Sequence, residues 1–394
     1  MSVRCPYCFA ETYDGFAAFV CVGTCAETRD SVASAFAGRE VASKPVSEVR
    51  PNPADRRPPQ PTSAYCRHCR TQTDREVCFN CHQPFSPGWR ECDVVCVAMA
   101  GARYSGKSVY IAVMKRQAEQ LAVAMGGALG YLTPRIEHDF VERYESPLYV
   151  QRGLPKATAP MGTDDSFLEP LVFTFGRSAS GRNRVLVVRD VAGEDLERVG
   201  ESNTALNFLG DADGLFYLID PLHLQSVRDR LHGFVATPGD FGGNPFSVLS
   251  KVIHHITGGS AGQSWTTPVA VILSKFDVLQ ELQFVDDPQW SGIMRNPGAA
   301  YRRDPSLDSS DYSEVDSEQL DLEVRSPLAV LNQHELLNLL RESFPTNRMF
   351  AVSALGQAPR DGGHSLHARG IAPFRCLDPL KWVLSRARWI DTLN

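Results

Sequence analysis

The stretch GARYSGKS, Gly101 to Ser108, decides how the chain is read. It follows an apolar run, Val94 to Ala100, and opens a helix-like run, Val109 to Met114. A strand, then Gly-x-x-x-x-Gly-Lys-Ser, then a helix is the context in which a backbone loop closes around phosphate oxygens. Glycines let N–H groups converge on the anion, and the helix N-terminus adds a favourable dipole. On this reading Gly101, Ala102, Arg103, Tyr104, Ser105 and Gly106 form the cradle. Lys107 reaches the outer phosphates, and the Ser108 hydroxyl ligates a Mg²⁺ that bridges them.

From about residue 92 onward, apolar strands alternate with helical stretches, the pattern of an α/β domain with a mostly parallel sheet. The expected fold is a doubly wound phosphate-loop NTPase sheet over 92–394, preceded by two small zinc-ribbon-like modules. Strands at 169–175 and 184–191 read as a hairpin-like pair, and the second runs into DVAGE. Asp190 is there placed to hold a Mg²⁺-bound water, and Gly193 lets a backbone N–H approach a γ-phosphate. Further strands are expected at 214–220, 268–273 and 348–352. The second of these ends in Ser274-Lys275-Phe276-Asp277, and the third leads into Ser353-Ala354-Leu355. Helical stretches are read at 131–145, 246–257, 327–343 and 377–392, the last with Trp382 and Trp389 as core anchors. Residues 281–325 read as an acidic, irregular insertion with little core.

Upstream, the eleven cysteines dominate. The N-terminus shows no apolar leader, and no run approaches the roughly 18 apolar residues of a membrane span. The expectation is a cytoplasmic protein whose paired thiols hold metal rather than form disulfides. Residues 1–37 carry Cys5, Cys8, Cys21 and Cys25, and residues 65–91 carry Cys66, Cys69, Cys78 and Cys81. Close Cys pairs with this spacing place four thiolates around Zn²⁺, so two ions are expected, and the pairs could also cross between the modules. The stretch 38–64 reads as a Pro-rich linker. Cys92, Cys96 and Cys376 are left over, and Cys92 and Cys96, at the start of the apolar strand, read as small buried hydrophobes. A net charge of −6 gives no global pull toward nucleic acid or anionic membrane.

The order of loop, DxxG, [NST]KxD and SA resembles the TRAFAC class of P-loop GTPases over roughly residues 92–392. The resemblance implies that Asp277 accepts hydrogen bonds from guanine, that the Lys275 stem covers the base, and that Ser353 and Ala354 lie at its carbonyl edge. More narrowly, GxxxSGKS, DVAGE, the strand DGLFYLIDP and the helix DPLKWVL look like the bacterial double-GTPase group. That likeness implies a nucleotide-dependent switch acting with effector or activating proteins, in a bacterial conflict or defence setting. The sequence departs from the pattern in three places. Ser274 opens the fourth box, Arg103 and Tyr104 occupy loop positions that are often small, and Glu194 stands where many GTPases have a water-orienting Gln. Slow hydrolysis of GTP to GDP is therefore expected, with Lys107, Glu194 and a switch threonine in catalytic roles. That threonine, a Mg²⁺ ligand beside Ser108 and Asp190, is Thr158, with Thr163 as competitor.

Three other readings stay open. One is a nucleotide-binding scaffold that does not turn over. A second is a zinc-ribbon nucleic-acid binder with a regulatory NTPase, prompted by Arg67, Arg70 and Arg75. The third, a plain ATPase, must treat Ser274–Asp277 as accidental.

Overall fold

The computed structural model describes residues 3–52, 58–156, 169–197, 204–235, 243–257, 265–358 and 365–393. Its central sheet has seven strands: β1 Cys92–Gly101, β2 Leu129–Tyr131, β3 Leu171–Arg177, β4 Asn183–Asp190, β5 Gly214–Ile219, β6 Val269–Leu273 and β7 Asn347–Ala351. Their spatial order is β2-β3-β4-β1-β5-β6-β7. Strands β4, β1, β5, β6 and β7 run parallel. β3 is antiparallel to both neighbours, so the expected hairpin of the third and fourth strands is present. All of β5 and β6 is buried, as apolar strands covered on both faces must be. The chain goes from β1 to β2–β4 on one side of the sheet and then to β5–β7 on the other, which makes the C-terminal end of β1 a topological switch point.

Helix α1, Lys107–Ala124, begins directly after the loop. It buries Tyr110, Ile111, Met114, Ala118, Leu121 and Ala122, a stripe at three- and four-residue spacing. It stops where Gly126 takes φ 77° and the amide of Gly127 returns to the carbonyl of Ala122 at 2.9 Å. Trp382 and Trp389 are both buried, the former in helix Asp378–Arg386.

The acidic stretch 281–325 differs from its expected irregularity. Helix Glu314–Val330 packs on β7, burying Leu320, Val324 and Leu328. Asp321 accepts the Met349 amide at 2.7 Å, and Arg348 pairs with Glu314 at 2.6 Å. Only one narrow stripe of this helix is apolar, and Pro327 interrupts it, so its periodicity is faint in sequence. The helix expected at 327–343 is therefore two, the second being His334–Ser343.

Below the insertion, Arg375 is fully buried and pairs with Asp316 at 2.8 Å and Asp378 at 2.5 Å. Its remaining donors reach the carbonyls of Arg303 and Ala300 at 2.7 and 2.9 Å. A buried guanidinium is tolerable only when it is paired and hydrogen-bonded in this way.

The N-terminal region builds a three-stranded sheet from Val46–Val49, Ala17–Val20 and Glu76–Val77. Part of the Pro-rich stretch is thus a sheet strand rather than a bare spacer. The region is docked on the main sheet. Arg4 pairs with Asp213 at 3.0 Å, Asp213 accepts the Cys96 amide at 2.8 Å, and Phe9 meets Phe208 edge-on at 5.3 Å.

Candidate functional site

The loop Gly101–Ser108 hangs between the C-terminal end of β1 and the start of α1. Gly101 and Gly106 adopt φ 148° and 87°. A side chain at Gly101 would also strike the Leu218 carbonyl, 2.5 Å away. The loop turns back over its own lysine: Lys107 Nζ donates to the carbonyls of Gly101 and Ala102 at 2.8 and 3.2 Å. Burial lowers the Lys107 pKa, while the charges of Asp190 and Glu197 pull it back up. The Ser105 hydroxyl is buried and has no partner among the described residues. Asp190 ends β4 in register with Met99 of β1, and the Val191 amide donates to the Met99 carbonyl at 3.2 Å. Gly193 presses on the loop so closely that a Cβ there would lie 2.3 Å from the Arg103 nitrogen. Thr158 and Thr163 lie outside the described residues.

The second half of the site follows β6. Ser274 donates to the Ser105 carbonyl at 2.7 Å and lies 3.1 Å from the Ile219 carbonyl. Lys275 takes φ 51° and sends its ammonium to the Tyr104 carbonyl at 2.9 Å and to Asp220 at 2.5 Å. Asp277 accepts from the Ser353 hydroxyl at 2.5 Å, and that hydroxyl in turn accepts the Gly356 amide at 2.9 Å. Burial raises the Asp277 pKa, against the lowering effect of the Ser353 hydroxyl and the Lys275 charge. Ala354 follows Ser353, which is held by reciprocal main-chain bonds with Phe374. The structure therefore brings residues from the loop, from Ser274–Asp277 and from Ser353–Ala354 to one end of the sheet.

Acidic groups stand over the loop. Arg103 pairs through its guanidinium with Glu194 at 3.0 Å and stacks on Tyr104. Its backbone N–H donates to Glu197 at 3.3 Å. Sequence reasoning missed Glu197 and Asp220. Asp220 ends an apolar strand, a position that is itself a signal in open α/β sheets. Glu197 carries no such signal, because its contact arises only when the chain closes over the loop.

The eight paired cysteines form two groups, Cys5, Cys8, Cys78, Cys81 and Cys21, Cys25, Cys66, Cys69, each with all four sulfurs within 4.8 Å of one another. The pairs are nested: each group takes one pair from each segment, the crossed arrangement rather than one ion per segment. Tetrahedral zinc with Zn–S near 2.3 Å sets neighbouring sulfurs about 3.8 Å apart. The closest approaches here are 3.7 Å for Cys5–Cys81, 3.6 Å for Cys8–Cys78, 3.5 Å for Cys21–Cys69 and 3.8 Å for Cys25–Cys66. Backbone amides of Tyr7, Gly23 and Asn80 point at Cys5, Cys21 and Cys78 at 3.3–3.4 Å, which favours thiolate. The donor sets and spacings could hold zinc. The leftover thiols Cys92, Cys96 and Cys376 are buried, and burial raises the pKa of each. One knuckle touches the sheet directly. Arg189, the residue before Asp190, donates to the Tyr7 carbonyl, lies 3.8 Å from the Phe208 ring centre, and is pushed down to about 10 by burial.

Among the described residues, no helix is long and apolar enough to cross a membrane. No protein-family model matches the chain. Two solved structures resemble it at 12% identity. One is the signal recognition particle receptor SRb-GTP/SRX complex from Chaetomium thermophilum, with TM-score 0.26, covering 67% of this chain and 93% of that one. The other is the S. cerevisiae Ski7 GTPase-like domain bound to GDP and inorganic phosphate, with TM-score 0.33, covering 75% and 50%. Likeness at this level decides nothing about function. A sequence relative carries more weight. The Mycolicibacterium smegmatis protein described as "Putative ESX-1 scaffolding and assembly protein SaeC" is 42% identical over 362 residues, spanning 91% of both chains. By that identity and coverage, the chain belongs to the SaeC family.

Proposed function

We propose that the chain binds guanine nucleotides at Gly101–Ser108, hydrolyses GTP slowly, and uses the change to regulate a scaffolding role in a protein assembly. In this reading residues 92–394 are the nucleotide domain, of the TRAFAC type and most like the double-GTPase group. The observation that carries it is the fastening of the Ser274–Asp277 segment to both the phosphate loop and Ser353. A carboxylate held there by a hydroxyl can accept the paired N–H groups of guanine, which adenine does not present. Ser108 and Asp190 offer a hydroxyl and a carboxylate oxygen, the donor chemistry that suits Mg²⁺. Bound Mg²⁺ would neutralise charge on the phosphates. Lys107 then orients the outer phosphates, the Gly193 amide faces the terminal one, and Thr158 completes the switch. The scaffolding role and the protein partners come from the name of the relative. The two cysteine groups, each filled by Zn²⁺, would present the N-terminal surface to those partners.

The deciding experiment is titration of the full chain with fluorescent GTP and ATP analogues in Mg²⁺, beside Asp277→Ala. A preference for GTP above about a hundredfold that the variant loses supports the reading. Equal binding of both nucleotides, unchanged in the variant, overturns it.

A second reading, a nucleotide-binding scaffold without turnover, is favoured by the Arg103–Glu194 ion pair, which occupies both the loop arginine and the acid at the water-orienting position. Single-turnover phosphate release that Ser108→Ala abolishes would exclude it.

A further inference from the structure

Glu197 sits in a place where a free acid is out of keeping with an anion cradle. Its Oε1 accepts two backbone amides, from Gly243 at 2.8 Å and from Arg103 of the loop at 3.3 Å. Its own carbonyl is held by the Lys251 ammonium. Gly243 is packed so tightly that a Cβ there would lie 3.1–3.2 Å from the Glu197 side chain. The residue is thus held at its carboxylate by two amides and at its main chain by Lys251, and Gly243 leaves just enough room for the side chain. The Arg103 amide it takes is also the atom on which Gly193 closes, and Lys107 lies within the field of the same acid. The carboxylate therefore holds an amide of the phosphate loop itself, beside Gly193 and within the field of Lys107, so an anion already engages the cradle.

We propose that Glu197 is an internal stand-in for the terminal phosphate, so that the resting site accepts a nucleoside diphosphate and excludes a triphosphate until Glu197 swings out. The inference rests on the guanine-nucleotide reading and adds to it the ligand state that the resting protein selects. Two anions cannot share one pair of amides, so the triphosphate binds only by displacing the acid, whereas the diphosphate leaves it in place. Displacement also frees the Gly243 amide, two residues before the helix Pro245–Ile256, while Lys251 of that helix stays on the Glu197 main-chain carbonyl, which gives the terminal phosphate a mechanical effect on the helix start. A partner that pulls this helix away would act in the same direction as the triphosphate.

The test uses the full chain with Mg²⁺. GDP and the β,γ-imido analogue of GTP are titrated by calorimetry into wild type, Glu197→Gln and Glu197→Ala. Wild type is expected to favour GDP. Each variant should raise the triphosphate-to-diphosphate affinity ratio by about tenfold or more, since a charged competitor for two amides is removed. Glu197→Gln keeps the size and an acceptor, so it serves if the Ala variant does not fold. An unchanged or lowered ratio in proteins that do bind GDP overturns this inference alone. Binding of neither nucleotide by any of the three overturns the guanine-nucleotide reading, and this inference with it.

Discussion

The Ser274 hydroxyl donates to the Ser105 carbonyl at 2.7 Å, joining the start of the fourth sequence box to the phosphate loop. A serine is long enough for that span although the family pattern tends to use a larger amide or a threonine. Ser274→Ala leaves the buried Ser105 carbonyl without this donor. It should destabilise the fold by about 1–3 kcal/mol and weaken nucleotide binding together with it. Urea unfolding and nucleotide titration on the same preparation check this. Full retention of both would show the fastening to be incidental.

Nested cysteine pairing makes an unusual demand on double variants. Cys5→Ser with Cys78→Ser damages one group only, so bound zinc should fall from two ions to one. Cys5→Ser with Cys66→Ser damages both and should leave none. One ion per contiguous segment would give a different result, since the first double variant would then also lose both. Metal content by elemental analysis after dialysis distinguishes the two arrangements.

Asp378 gives a pH dependence with a definite sign. Burial raises its carboxyl from the ordinary 3.8 to about 6, against the pull of Arg375. The folded state then holds a proton that the unfolded chain has already lost. Stability from this group is therefore fully present below 3.8 and is lost as pH rises through about 6. The stability of wild type minus that of Asp378→Asn should fall across that window and level off above it. A difference that grows with pH contradicts the assignment.

Two glycines of the site should fail for different reasons. In Gly193→Ala the new Cβ lies 2.3 Å from the Arg103 nitrogen, a backbone atom that cannot step aside. In Gly106→Ala the nearest atom is Lys275 Cε at 3.8 Å, and only the left-handed φ of 87° resists. The second should cost about 1–2 kcal/mol of stability and keep the loop shape. The first should displace the DVAGE segment and lower nucleotide affinity by more than about tenfold. Comparable affinities in both variants would argue against close packing of Gly193 on the loop.

How much of the molecule is legible in sequence depends on the range of each interaction. Gly101–Ser108 is legible because strand, loop and helix are contiguous and each residue type has a local task. The strand pair 169–191 is legible for the same reason. The partnering of Cys5 with Cys81 is not, because knuckle spacing fixes each pair but says nothing about which pairs meet. Helix Glu314–Val330 hides behind its acidic face, since its buried stripe of Ser317, Leu320, Val324, Pro327 and Leu328 is narrow. Val46–Val49 hides among prolines, and only its pairing with Ala17–Val20 makes it a strand. Glu197 is the extreme case. Its meaning depends on Arg103 and Gly243, neither of them near it in sequence.

The nested cysteine groups also impose an order on assembly. Cys66 and Cys69 leave the ribosome before Cys78 and Cys81, so the inner quartet is complete while the outer one still lacks half its ligands. Once the inner quartet has closed, the outer one has less slack chain to gather, and the entropic penalty of its closure is smaller. Metal loading would then run from the inside outward. The outer quartet, last to close, carries Tyr7, whose carbonyl meets Arg189 beside Asp190. Scarcity of metal would therefore be felt first at the seam against the sheet, while the inner knot stays tied.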